Sequence, residues 1–183
     1  MDLFLLRMHQ RQIAHQCHTS LQAAEQIKNG LISGNQEILW AGVQNLLTAT
    51  ANIAKAAWGS AGKLTDERRV LRESLSIGDE SPIANVDLRN HLEHYDERLD
   101  RWFRTSQHRN HADYMIGPPA MISGVEPTDV FRHFDPNSGD VIFWGEHYNL
   151  SQLVEAVTTL LPIAEAQASL PHWSSGDMAP GPI

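Results

Sequence analysis

Apolar residues recur at steps of three and four through the first third of the chain, and that period predicts helices. Leu3, Leu6, Ile13, Cys17, Ala24 and Ile27 place a long helix over roughly residues 3–29, with Asn29-Gly30 as its C-terminal stop. Asn35 reads as the N-cap of a second helix reaching about Trp58, on the stripe Leu39, Val43, Leu46, Thr50, Ile53 and Ala57. Its many alanines allow close approach of a neighbouring helix. Gly59-Ser60-Ala61-Gly62 ends it, and Thr65-Asp66-Glu67 opens a short helix to about Leu75. After a loop at Asp79–Pro82, Leu88, Leu92, Tyr95, Leu99 and Trp102 form the stripe of one amphipathic helix running to about Thr105. Asn85 caps that helix, and Asp87 favours its N-terminal dipole.

The period is then lost. Residues 106–124 form a connector in which Pro118-Pro119 excludes a helix. DVFRHF (129–134) and DVIFWG (140–145), joined by the turn residues DPNSG, predict a β-hairpin at about 129–145. Asn149 with Gln152 resembles a capping box for a last helix through about Gln167, which Pro162 is expected to kink or split. The sum is a mainly α fold: an antiparallel four-helix-type bundle with an inserted β-hairpin near the C-terminus. Residues 1–168 are expected to form one domain, and 169–183 a flexible tail. An isolated hairpin is marginal, so this one must lean on the bundle or on a second subunit.

Composition fits this outline. With 183 residues, 42% hydrophobic and 20% charged, the chain can bury a sizeable core, and no apolar run approaches the roughly 20 residues that span a bilayer. The start MDLFLLRMHQRQ has no basic region ahead of its apolar patch and no small-residue cleavage site, so a cytoplasmic protein is expected. Cys17 is the sole cysteine and reads as a small buried hydrophobe. The net charge of −8 argues against a dedicated nucleic-acid binder, but it is unevenly spread. Residues 1–60, 61–110 and 111–183 carry +1, −1 and −8, and the middle segment holds nine of the fourteen Lys and Arg residues. A local basic patch for a phosphate-bearing partner is therefore compatible with the acidic total.

The stretch DLRNHLEHYDERLDRWFR (87–104) has the greatest density of ionisable groups. Glu97/Arg101 and Asp100/Arg104 have the acid-first spacing of stabilising i,i+4 pairs, the ordinary dress of an exposed helix. Left over are Arg89, Asn90, His91, His94 and Arg98. The order Arg89-Asn90-x-x-x-His94 resembles the R-x4-6-H motif of the HEPN family, small helical domains that include metal-independent ribonucleases of defence and RNA-processing systems. The resemblance covers this helix, and Tyr95 follows His94 directly, where the toxin branch commonly has its tyrosine one residue later. It implies Arg89, Asn90 and His94 as catalytic residues, RNA as partner, a homodimer that gathers two motifs in one cleft, and no cofactor. The chemistry is coherent. Attack by a 2′-hydroxyl needs a proton acceptor near neutral pH, which histidine supplies, and a planar cation on the phosphate, which arginine supplies. On an ideal helix Arg89 and His94 point about 140° apart. A shared target thus requires a distorted turn or a second subunit.

Ten histidines include three H-x-x-H pairs, His15/His18, His91/His94 and His108/His111, and i,i+3 side chains can share a metal. No histidine has a glutamate three residues before it, which removes the helical carboxylate-bridged di-metal pattern. A mononuclear site using His15, His18 and His91 or His94 is the remaining metal alternative; no metal is assigned. No G-x-S-x-G, P-loop or dinucleotide fingerprint occurs. The second function class is a non-enzymatic helical protein that dimerises or binds a protein partner through the hairpin and the acidic C-terminal third, with Phe143 and Trp144 as exposed contacts.

Overall fold

A computed structural model describes residues 1–172; residues 173–183, most of the expected tail, lie outside the described residues. Three long helices dominate: α1 (Leu3–Ser33), α2 (Gln36–Trp58) and α6 (Leu150–Ala168). Asp2, Asn35 and Asn149 cap their N-termini by accepting the backbone N–H groups of Leu5, Ile38 and Gln152. Each cap satisfies an N–H that the helix itself leaves unpaired. α1 overruns its predicted stop. A Cβ on Gly30 would lie 2.5 Å from the Leu39 backbone nitrogen, so this glycine admits α2 instead of ending α1. Gly42 does the same opposite Ile27, at 2.8 Å. The stop is Gly34, in the left-handed conformation at φ 66°.

The contacts Gly30–Leu39, Gln26–Asn45 and Gln16–Asn52 run in opposite order along α1 and α2, so the two helices are antiparallel. α6 also packs on α1, with Glu165 against His18 and the Arg7 and Arg11 guanidiniums donating to the Gln167 and Ala168 carbonyls. Those cations suit the negative end of α6. Pro162 lies within α6 without splitting it.

The short α3 (Arg69–Ser74) sets Arg72 under the end of α2, where Nη1 donates to the Ala57 and Thr65 carbonyls. The expected single helix over 87–104 is two: α4 (Asp87–Glu93) and α5 (Tyr95–Thr105), interrupted at His94 (φ −103°, ψ 36°). They answer to different supports. α4 lies on α2, whereas Tyr95 and Trp102 of α5 pack on Phe131 ahead of the sheet. The break shifts the phase of the stripe. Leu88 and Trp102 are buried, but Leu99 is 36% exposed.

The predicted hairpin is present as β2 (His133–Asp135) and β3 (Asp140–Phe143), with Asp135 accepting the Asn137 N–H in the DPNSG turn. The sheet is larger than a hairpin. β1 (Met115–Ile116) pairs parallel with β2, and β4 (Glu146–Asn149) pairs antiparallel with β3. Trp144 and Gly145, at φ 54° and 80°, make the tight turn between β3 and β4. β1 is too short to show alternation, and β4 (EHYN) has no apolar face. Among the described residues no helix is long and apolar enough to cross a membrane.

Candidate functional site

Asn85 Oδ1 accepts the Asp87 N–H at 2.9 Å, but the N-cap position of α4 is Val86, which makes no side-chain cap bond, so the expected Asn85 cap is displaced by one residue. One turn on, Arg89 lies along α4, its side chain only 19% exposed. It forms an ion pair with Glu93, and Nη1 donates to Asn90 Oδ1 at 3.3 Å. Its Nε–H is buried without an acceptor. Arg89 and Asn90 line a groove of about 420 Å³ with Lys55 and Trp58 of α2 and the Gly59–Gly62 turn. This groove therefore holds two cations and a carboxamide, and only Glu93 offsets Arg89 directly.

His94 sits at the helix break with its side chain 53% exposed, and Nδ1 lies 3.4 Å from Glu97 Oε1. The contact sets a carboxylate beside the imidazole without a hydrogen bond, and the exposed ring is open to solvent. Among the described residues Arg89 and His94 share no partner. The expected ion pairs Glu97/Arg101 and Asp100/Arg104 are not formed; Arg101 instead covers the Trp144 ring, with its guanidinium 5.6 Å from the ring centroid. The Glu97 carboxylate faces His94 and Arg98.

His91 is half-buried at the edge of the core. Its ring stacks on Phe143 with centroids 4.8 Å apart, and Nδ1 accepts the Arg98 Nε–H at 3.1 Å. Burial and the Arg98 charge hold the imidazole below its ordinary pKa. His91 is thus a neutral spacer between α4 and the sheet. Phe143 is fully buried and Trp144 is half-buried, so neither is the exposed contact that the protein-partner reading expected.

The polar network beside this helix pair escaped the sequence reading. Tyr95 donates to Asp113 Oδ2 at 2.7 Å, and Arg132 grips the same carboxylate through Nε and Nη2. Burial alone would raise the Asp113 pKa; the hydrogen bonds from Arg132 and Tyr95 override it and hold the carboxyl below its usual range. The Arg132 guanidinium also lies 4.4 Å from the Tyr95 ring centroid and 3.8 Å from that of Tyr114. Asp129, which unlike the half-buried Asp113 is fully buried, accepts Trp102 Nε1–H and the Ser106 hydroxyl, at 2.7 and 2.8 Å. One sequence signal for this network exists: Arg132 is the only Lys or Arg in residues 111–183.

The histidine pairs disperse. His18 bonds Glu165, His91 faces Phe143 and Arg98, and His111 lies 3.3 Å from the Tyr95 hydroxyl. Among the described residues no three His, Cys, Asp or Glu side chains are placed to hold a metal ion. Cys17 is buried as expected, and burial, reinforced by Glu165, pushes its thiol up to about 12. Comparison with protein-family models, with curated proteins and with solved structures finds no match.

Proposed function

We propose that this protein is a HEPN-like RNA-processing or defence-related ribonuclease that acts without a metal, as a homodimer, with Arg89, Asn90 and His94 at its centre. In this reading α4–α5 serves as the fourth member of an antiparallel four-helix-type bundle. The observation that carries it is the contrast between the two motif residues. Arg89 is held half-dry in a groove with an unsatisfied Nε–H, while His94 is exposed at a helix break with Glu97 behind it. One is disposed to hold an anion, the other to exchange a proton with solvent or substrate. Since they share no partner among the described residues, the Arg89 of one copy and the His94 of another supply one cleft.

The step follows. His94 Nε2 takes the proton of an RNA 2′-hydroxyl as that oxygen attacks the adjacent phosphorus. The bond to the 5′-oxygen of the next nucleotide breaks, leaving a 2′,3′-cyclic phosphate, and the departing oxygen takes up a proton from water. Arg89, leaving Glu93 for the phosphate, stabilises the charge that grows on the non-bridging oxygens. Asn90 supplies a neutral donor beside it. The test is RNA cleavage with EDTA present. Wild type is expected to cleave, and His94→Ala to slow cleavage by about 100- to 10,000-fold, the usual worth of a general acid–base group. Equal rates, or no cleavage by wild type, would sink the proposal.

A further inference from the structure

Four grooves of this acidic molecule each carry at least one carboxylate: Glu155; Asp79 with Glu80; Glu37; and Glu25 with Glu155. The groove between the end of α2 and α4 carries none, and two cations, Lys55 and Arg89, line it. Glu93 pairs with Arg89 from outside that lining. The Lys55 ammonium forms no ion pair or hydrogen bond among the described residues. One positive charge is therefore left over, in a chain whose net charge is −8.

The end of α2 does not need that charge. A helix C-terminus gathers negative partial charge on its last carbonyls. Here three of the last four are already engaged: Lys55 accepts the Gly59 N–H, Trp58 accepts the Leu64 N–H, and Ala57 accepts from Arg72 Nη1. The same lining offers neutral donors. Asn90 accepts the Arg89 Nη1–H on Oδ1, which leaves its Nδ2 donors without an acceptor among the described residues. The exposed Ser60 hydroxyl has none there either.

Charge selects the ligand. A cation is repelled, and an uncharged molecule gains nothing from the Lys55 ammonium. An oxyanion with several acceptor oxygens answers the cations and the neutral donors together. Volume selects its carrier. At about 420 Å³, with the half-buried Trp58 as a wall, the groove has room for a sugar or a base beside the phosphate. We propose that Lys55 holds a phosphate of the RNA strand in this groove, beside Arg89. The inference rests on the proposed function for RNA as the ligand, and it adds α2 to the site.

The test measures binding apart from cleavage. It uses the full chain and an RNA hexanucleotide whose 2′-oxygens all carry methyl groups and so cannot attack. Affinity is read by fluorescence anisotropy over a series of salt concentrations, since each phosphate of a single strand that meets a cation adds about 0.7 to the slope of log affinity against log salt. Lys55 is exposed, so Lys55→Gln should keep the fold, confirmed by circular dichroism. It is expected to bind roughly tenfold more weakly and to lower the slope by about 0.7. Lys28→Gln, which removes a cation on α1 outside the groove, is expected to change neither. Inorganic phosphate at matched ionic strength is expected to compete roughly tenfold less well, or worse, than the unlabelled strand. No binding by the wild type, unchanged affinity and slope in Lys55→Gln, an equal loss in Lys28→Gln, or inorganic phosphate competing as well as the strand would each overturn the proposal. A wild type that binds the methylated strand through Lys55 but leaves unmodified RNA intact in EDTA would sink the ribonuclease reading alone.

Discussion

The two halves of this molecule are held together by different physics. Between α1 and α2 the contact is close and nearly uncharged: Gly30 and Gly42 let backbones meet, and alanines, leucines and isoleucines fill the rest. Between α4–α5 and the sheet, the filling is aromatic and the ends are tied by Arg132–Asp113–Tyr95, Arg98–His91 and Trp102–Asp129. The first kind of interface depends on shape alone. The second depends on each buried polar group finding its partner; His91 and Arg98 lie there, whereas Arg89 and Asn90 line a groove with the end of α2.

Three changes probe that contrast, beginning with the most damaging. Phe143→Ala removes the ring on which His91 stacks and against which Phe131 packs; a fully buried phenylalanine of this kind is worth about 3–5 kcal/mol. Denaturant unfolding should show that loss, and hydrogen exchange should show it first in α4–α5. A loss confined to α1–α2 would refute the division. Gly30→Ala inserts a methyl group against the Leu39 backbone and should cost about 1–3 kcal/mol by overpacking, with α1–α2 bearing the change. A neutral result would mean that the helices separate easily and that shape does not govern their contact.

The smallest effect is on pH. The folded pKa of His91 lies below its unfolded value of 6.5, so above about 6.5 its contribution to stability is complete. As pH falls through that value toward the folded pKa, the unfolded chain binds the extra proton and the contribution is lost. His9, shifted the same way by burial and Arg68, adds to the slope. His91→Phe keeps a ring on Phe143 and removes the titration. The drop in urea midpoint between pH 7 and pH 5 should therefore be shallower than in wild type. An unchanged slope would assign the pH dependence to His9 or to other groups.

Legibility in the sequence follows the same division. α1, α2 and α6 were readable because their supports are periodic apolar stripes and local caps. Asn35 and Asn149 do what their positions imply; Gly30 misled, since a glycine that ends a helix and one that admits a neighbour look alike. The polar region was harder. The break at His94 comes from α4 and α5 answering to separate partners, which no local pattern encodes. Asp113, Asp129 and Arg132 lie in stretches without period, and their roles depend on contacts across 18 to 27 residues. β4 and its turn were missed because EHYN carries no alternation, although Trp144-Gly145 is a turn signal. Within the candidate site, Arg89 and Asn90 were legible as neighbours. The part played by Glu97 behind His94 was not, because its expected partner was Arg101.

The central claim is that Arg89 and His94 act in one cleft supplied by two copies, and mixing inactive variants tests it most directly. Arg89→Gln and His94→Ala, each confirmed as folded, should fail to cleave RNA in EDTA when assayed alone. Unfolded and refolded together, they should recover a measurable part of the wild-type rate, because mixed dimers regain one cleft with both side chains. Wild-type cleavage with no recovery in the mixture, or wild-type rates from either variant alone, would contradict the account.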